Sequence, residues 1–135
     1  MLKMIIGVKG TGKTKALINQ VNEAAEKTDG TVVCIEKGTG LRFNIKSSVR
    51  LINTNEYLVF DAEALYGFVA GILASNHDVT DLFIDSGLKI ANNDMAGFEE
   101  TVKRIDELSE KLGVNVIMTS SIPTEEAGSI IEKYL

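Results

Sequence analysis

Near the start of the chain, residues 7–14 read GVKGTGKT. A continuous apolar run at residues 3–8 leads into this stretch, which is typical of a strand buried on both faces. Residues 13–28, which begin inside it, carry apolar side chains at helical spacing, and the turn signal Asp29-Gly30 ends the pattern. The glycine-rich stretch is therefore predicted to be a loop between a buried strand and an amphipathic helix.

The spacing GxxxxGK followed by a hydroxyl residue is typical of a phosphate-binding loop. Its glycines let successive backbone N–H groups point at phosphate oxygens, and the following helix adds the positive end of its dipole. The lysine reaches the outer phosphates, and the hydroxyl coordinates magnesium. The predicted phosphate-binding residues are Gly7, Lys9, Gly10, Thr11, Gly12, Lys13 and Thr14.

Three further apolar runs are predicted as buried strands. They are TVVCIE at residues 31–36, DLFIDS at residues 81–86 and the run at residues 114–118. Helical spacing predicts helices at residues 61–75, from Asn93 or Asp94 to Leu112, and at residues 128–134. Residues 41–53 alternate and predict a β-hairpin, and residues 57–60 predict a short extended segment.

Strands that alternate with helices and are apolar along their length are typical of a parallel sheet. The predicted fold class is α/β, with helices on both faces of a mostly parallel sheet in three layers. Because 135 residues is the usual size of one domain, residues 1–135 are predicted as a single domain. No fifth buried strand follows residues 114–118, which predicts a minimal core whose sheet edge, or whose apolar helix 62–75, is covered by another copy.

Two positions after predicted strands are candidates for the same site as the glycine-rich loop. A phosphate loop calls for a second, strand-terminal carboxylate that supports magnesium, and LFID ends at Asp85. Thr119 follows the fourth strand, and ligands gather at the carboxyl ends of parallel strands. We therefore expect Thr14 and Asp85 at a magnesium ion and Thr119 beside the phosphates.

GVKGTGKT together with LFID resembles the Walker A and Walker B motifs of P-loop NTPases. With the strand TVVCIE between them, the chain is similar to the ASCE division, whose two Walker strands are not adjacent in the sheet. In the RecA-like branch of that division, a glutamate ending the intervening strand positions the attacking water, and a serine often follows Walker B. Glu36 and Ser86 match these two points. The resemblance implies binding of ATP and Mg²⁺, with catalytic roles for Glu36 and Lys13.

Related groups are compared by the residues that they require. The guanine-reading [NT]KxD stretch of GTPases fails at its first position in the nearest match, EKTD at residues 26–29. Deviant-Walker partitioning ATPases carry a lysine where this chain has Val8. Arginine is scarce, and Arg42 and Arg50 are the candidates for an arginine finger, which the predicted hairpin could carry to a neighbouring subunit. Three functions stay open: an ATPase, a nucleotide-dependent switch or assembly module with little turnover, and a small phosphotransferase.

Composition limits the partners and the compartment. The net charge is −5 without any basic run, which argues against nucleic acid or an anionic membrane as the main partner. The longest apolar stretch, residues 64–74, is short of the ~20 residues that a membrane helix needs, and the first apolar run is too short for a signal peptide. A single cysteine, Cys34, allows no internal disulfide and fits a reducing cytoplasm. The expected partners are a nucleoside triphosphate and either a second copy or another protein that supplies an arginine.

Overall fold

In the computed structural model, which describes all 135 residues, five strands form one sheet. They are β1 (Leu2–Ile6), β2 (Thr31–Glu36), β3 (Arg50–Asn53), β4 (Val79–Ile84) and β5 (Asn115–Ser120). Their order across the sheet is β1-β5-β4-β2-β3, and every neighbouring pair is parallel. The predicted α/β class with a parallel sheet is confirmed. β5 lies between β1 and β4. The strand that precedes the glycine-rich loop, β1, is therefore not adjacent to the strand that ends in LFI, β4.

Five helices connect and cover these strands. They are α1 (Lys13–Lys27), α2 (Ala62–Ser75), α3 (Gly87–Ile90), α4 (Met95–Leu112) and α5 (Ser129–Glu132). Side chains cap two of these helices, since the Asp61 carboxylate accepts the Ala64 N–H at 2.8 Å and the Asp94 carboxylate accepts the Gly97 N–H at 3.1 Å. At its other end α4 stops at Gly113, whose φ of 67° is the left-handed conformation that glycine adopts without strain. None of the helices is long and apolar enough to span a membrane.

The sheet is covered on both faces because its strands are apolar on both faces. On one face Leu17 and Val21 of α1 pack with the even-numbered residues of β2, Val32 and Cys34, and with Phe83 of β4. The opposite face packs against α2 and α4 in a larger cluster that includes Val33, Ile35, Leu65, Val69, Leu82, Ile84, Phe98, Val102 and Ile105. These two clusters make the three-layer arrangement predicted from the continuous apolar strands.

The predicted hairpin at residues 41–53 is wrong. Only residues 50–53 form a strand, and β3 runs parallel to β2, with Val33 opposite Arg50 and Glu36 opposite Asn53. The apolar residues that suggested the first hairpin strand instead anchor a loop to the core, because Leu41 and Val49 are buried in the cluster under α1. The expected core of four strands is wrong for the same reason, since β3 supplies the fifth.

A side-chain clamp holds this loop against α1. The amide of Asn22 donates to the Asn44 carbonyl at 2.9 Å and accepts the Lys46 N–H at 2.9 Å. The Lys46 ammonium also lies 2.8 Å from a carboxylate oxygen of Glu26. Residues 57–60 form no strand either, because Thr54–Tyr57 is a 3₁₀ turn and Leu58 follows it with a φ of 60°.

The last residues of the chain close the outer edge of β1. The Met4 N–H donates to the Tyr134 carbonyl at 2.8 Å, and the Tyr134 hydroxyl donates to the Asp106 carboxylate at 3.2 Å. Burial and the negative charge of Asp106 raise the pKa of the Tyr134 hydroxyl to about 12, so the phenol stays a donor. This contact satisfies backbone groups of an edge strand and fixes the strand that carries the glycine-rich loop.

Candidate functional site

The glycine-rich loop meets the carboxyl ends of β4 and β5 at one end of the sheet. Thr14, in the first turn of α1, donates its hydroxyl to Asp85, with distances of 3.2 and 3.4 Å to the two carboxylate oxygens. The two residues are 71 positions apart in the chain. The structure thus brings together the pair that the sequence predicted as magnesium ligands, and both present the hard oxygen donors that magnesium prefers.

The loop itself is held open by its glycines and by one shared carbonyl. Gly10 and Gly12 have φ values of 86° and 85°, and a Cβ at either position would meet nothing within 4 Å. Glycine is needed there for backbone conformation and not for space. The Val8 carbonyl accepts both the Thr11 hydroxyl and the Lys13 ammonium at 2.8 Å. Lys13 therefore lies across the loop, in a hydrogen bond that an anion in the loop could replace.

A cavity of about 510 Å³ opens beside the loop, and we call it the phosphate cavity. Four lysines line it, namely Lys9, Lys13, Lys15 and Lys89, and no carboxylate does. The other lining residues are Gly10, Gly12, Thr14, Ser86, Leu88, Asn93, Thr119 and Ser121. In a chain whose net charge is −5, this concentration of positive charge is local and suits a polyanion. Gly7 and Thr11, which were also predicted to bind phosphate, are not in its lining.

Thr119 links the ends of β4 and β5. Its hydroxyl is buried, donates to an Asp85 carboxylate oxygen at 2.7 Å and accepts the Ser86 N–H at 2.8 Å. Ser86 has a φ of 61°, a left-handed conformation that is uncommon outside glycine and that this hydrogen bond helps to hold. Asp85 is therefore oriented by two hydroxyls, those of Thr14 and Thr119, from two other elements.

Glu36 lies next to this group but not in the phosphate cavity. It ends β2, is 4% exposed, and accepts the Leu41 N–H at 3.2 Å. The neighbouring strand end is close, because the Asp85 N–H donates to the Ile35 carbonyl at 2.9 Å. Burial raises the pKa of Glu36, the charge of Asp85 raises it further, and the N–H groups of Leu41 and Gly40 oppose the shift.

A second cleft, of about 270 Å³, contains Glu36 together with both candidate finger arginines. Neither Arg42 nor Arg50 has a carboxylate within 4.0 Å, although Glu56 also lines the cleft. The third arginine is used on the protein surface, where Arg104 pairs with Glu63 at 2.8 Å. No arginine therefore lines the phosphate cavity.

Sequence reasoning missed Lys15, Lys89, Asn93 and Ser121 as lining residues. Lys15 immediately follows the motif, and Ser121 lies two residues after Thr119, the residue of this strand end that was predicted beside the phosphates. Lys89 and Asn93 come from the segment after Asp85, where the short helix α3 was not predicted. A glycine followed by apolar residues directly after a strand-terminal Asp-Ser was the available signal.

Neither a cluster of metal-binding side chains nor a reactive cysteine is part of this site. No cluster of three or more histidine, cysteine, aspartate or glutamate side chains could bind a metal ion by itself. A magnesium ion at Thr14 and Asp85 would therefore need oxygens from a ligand as well. Cys34 is buried, and burial, together with the charges of Asp85 and Glu36, raises the pKa of its thiol to about 12. It packs as a small apolar side chain.

Comparison with known proteins supports the fold. No protein-family model and no curated protein matches the chain. Among solved structures, 177 chains are similar. One is a KaiC-like protein from the hyperthermophilic archaeon Pyrococcus horikoshii, with a TM-score of 0.71 and 19% sequence identity. The match covers 98% of this chain and 66% of the other, so the present chain spans just under two thirds of that protein's length. At this identity the similarity shows a shared α/β fold.

Proposed function

We propose that this chain is a P-loop ATPase that binds MgATP in the phosphate cavity and hydrolyses it. The observation that carries the proposal is the Thr14–Asp85 contact, because it joins the last residue of the GxxxxGK[ST] motif, which lines the lysine-rich cavity, to a strand-terminal carboxylate directly behind that lining. A glycine-rich turn without a ligand would require neither the distant carboxylate nor the four lysines. The fold that the chain shares with the KaiC-like protein is compatible with the same interpretation.

Different residues around the cavity would bind different parts of MgATP. Backbone N–H groups of the loop, freed by the conformations of Gly10 and Gly12, bind the phosphates together with the first turn of α1. Lys13 exchanges the Val8 carbonyl for phosphate oxygens, and this replaces a neutral acceptor by a charged one. Thr14 and Asp85 would hold Mg²⁺, which neutralises negative charge on the bound phosphates.

Glu36 is proposed to orient the water that attacks the γ-phosphorus. Glu36 ends β2, which lies beyond β4 in the sheet from β1, the strand that leads into the glycine-rich loop, and from there its carboxylate would accept a proton from that water. In the structure its carboxylate is covered by the Leu41 N–H and lies in the arginine-lined cleft. Hydrolysis therefore requires the segment at residues 37–41 to let water reach Glu36.

That cover also favours a second candidate function, a nucleotide-dependent switch with little turnover of its own. If residues 37–41 stay in place until a partner binds, the chain holds MgATP and hydrolyses it only in the complex. Arg42 and Arg50, which have no carboxylate partner within 4.0 Å, are available to the site of a second copy. The two functions differ in one observable, the dependence of turnover on protein concentration or on a partner.

Calorimetric titration with MgATP and MgGTP tests nucleotide binding. Lys13→Ala is expected to weaken MgATP binding by about 10–150-fold, because hydrogen bonds to charged groups contribute about 1.5–3 kcal/mol. Lys111→Ala is the matched control, since it removes the same charge from the exposed last turn of α4. Equal affinity of wild type and Lys13→Ala for MgATP would refute the proposed site. Phosphate release by the same samples, measured across protein concentration, separates an ATPase from a switch.

A further inference from the structure

Lys89 is the one lysine of the phosphate cavity that comes from outside the glycine-rich loop and α1. It lies on α3, four residues after Asp85, and its side chain is exposed to the cavity. No carboxylate lies within 4.0 Å of its ammonium. Lys89 is carried by the segment that follows β4, and it lines the same cavity as the loop that would bind the phosphates.

The backbone that carries Lys89 is held rigidly. The N–H groups of Ser86 and Leu88 donate to the hydroxyls of Thr119 and Ser120, at 2.8 and 3.2 Å. Gly87 between them has no room for a side chain, because a Cβ there would lie 2.5 Å from the Met118 sulfur. The start of α3 thus packs directly against β5, which fixes where the backbone of Lys89 lies relative to that strand.

The hydrogen bonds that fix α3 also reach the proposed magnesium ligands. Thr119 donates to Asp85 with the same hydroxyl that accepts the Ser86 N–H, and Asp85 in turn accepts the Thr14 hydroxyl. The base of Lys89 is therefore positioned relative to the residues that would hold the metal and the β- and γ-phosphates. Such positioning is what a group needs to act on charge that develops only during reaction.

We propose that Lys89 contacts the γ-phosphate and stabilises the transition state of hydrolysis from within the chain, in the place of an arginine finger. This rests on the proposed ATPase function. In the step, the water oxygen bonds to the γ-phosphorus, the bond from that phosphorus to the β–γ bridging oxygen breaks, and ADP leaves with the electron pair. The water proton goes to Glu36. Lys89 transfers no proton and contributes charge and hydrogen bonds to the phosphoryl oxygens.

Lys89 fits this role better than the candidates that the sequence suggested. Arg42 and Arg50 lie in the neighbouring cleft and would need a second copy to reach a phosphate. Lys9 and Lys15 belong to the loop and the first turn of α1, which bind the ground state and the transition state alike. A charge carried by α3, an element separate from the loop and α1, can instead gain contact as the γ-phosphoryl group moves away from ADP.

The test compares binding of the ground state with binding of a transition-state mimic. Lys89→Ala, Lys89→Arg and the control Lys111→Ala are titrated with MgADP, with MgATP and with MgADP plus aluminium fluoride, and single-turnover phosphate release is measured in parallel. Lys89→Ala is expected to lower the rate and the affinity for the aluminium fluoride complex by about 100-fold. Its affinity for MgADP is expected to change by less than about 3-fold, because no γ-phosphate is present. Lys89→Arg should restore most of both losses, and Lys111→Ala should match wild type.

The outcomes separate the two proposals. Lys89→Ala that binds the aluminium fluoride complex as wild type does would overturn the role of Lys89, whether or not the wild type turns over. Equal losses for MgADP and the aluminium fluoride complex would also overturn it, since they would make Lys89 an ordinary binding residue. A wild type that binds no MgATP would refute the proposed function itself, a result that no Lys89 variant can produce.

Discussion

Replacing Glu36 by glutamine and by alanine separates the two roles that the structure gives this side chain. Glutamine keeps an oxygen that can accept the Leu41 N–H, now at 3.2 Å, but cannot take a proton from water. Alanine also removes the acceptor and leaves the N–H of Leu41, a residue that is 5% exposed, without a partner. An unsatisfied buried donor costs about 1–3 kcal/mol, which for 135 residues corresponds to a fall in Tm of about 4–11 °C.

The pH dependence of stability has a definite sign. Burial and Asp85 raise the pKa of Glu36 in the folded protein above 4.5, its ordinary value. The stability that the protonated carboxyl contributes is complete below pH 4.5 and is lost as the pH rises through the raised value. Glu36→Gln does not titrate, so it should be more stable than wild type at pH 7 and gain nothing below pH 4.5. Thermal unfolding from pH 4 to pH 8 measures the difference.

Turnover should respond differently from stability. Loss of a positioned general base lowers the rate by about 10²–10⁴-fold, and we expect this for both variants. The Kd for MgATP should stay within about 3-fold of wild type for Glu36→Gln, because Glu36 does not line the phosphate cavity. Single-turnover phosphate release and calorimetry measure the two quantities. Wild-type turnover by Glu36→Gln would refute the reasoning, and so would equal stability of the glutamine and alanine variants.

Two substitutions and one labelling experiment test other contacts of the fold. Thr119→Val removes, at nearly constant volume, the hydrogen bond to Asp85 and the acceptor of the Ser86 N–H. It should lower the free energy of unfolding in urea titrations by about 1–3 kcal/mol. An unchanged urea midpoint would contradict these two hydrogen bonds. Gly30→Ala drives a Cβ into the Asp78 carbonyl oxygen, so chemical denaturation should show a loss of about 1–3 kcal/mol, whereas a neutral result would mean that this turn adapts freely. Cys34, buried and with a pKa of about 12, should resist thiol reagents at pH 8 until the protein unfolds, and rapid labelling of the folded protein would disprove its burial.

Much of the fold could be predicted because its elements are locally encoded. The apolar run before Gly7 and the helical spacing at residues 61–75 and up to Leu112 depend on neighbouring residues, and a strand and two helices form there. The error at residues 41–53 arose because burial under α1 produces the same alternation as a hairpin. What distinguishes them is the Asn22 clamp, a contact between distant parts of the chain that no local pattern contains.

In the candidate site, too, the features set by local sequence were predicted and those set by contacts between distant residues were not. Motif spacing identified the loop, Asp85 and Thr119, since the carboxyl ends of parallel strands meet at one edge of the sheet. Lys89 was missed because α3 has only four residues, too few for any periodic signal. That Glu36 lies in a cleft with Arg42 and Arg50, apart from the phosphate cavity, depends on the path of the loop and could not be read from spacing.

The strand order has a consequence for how the chain acquires its site during synthesis. β1 has a single strand neighbour, β5, and pairs Leu2–Ile6 with residues 116–120. On its other edge the Met4 N–H donates to the carbonyl of Tyr134, which is made later still. At about 5–20 residues per second, the ribosome needs roughly 6–22 s to make the 110 residues that follow Ile6 up to and including Val116. Until then the strand that carries the phosphate loop has no place in the sheet. Nucleotide therefore cannot protect nascent chains from protease until residues 116–120 have left the exit tunnel.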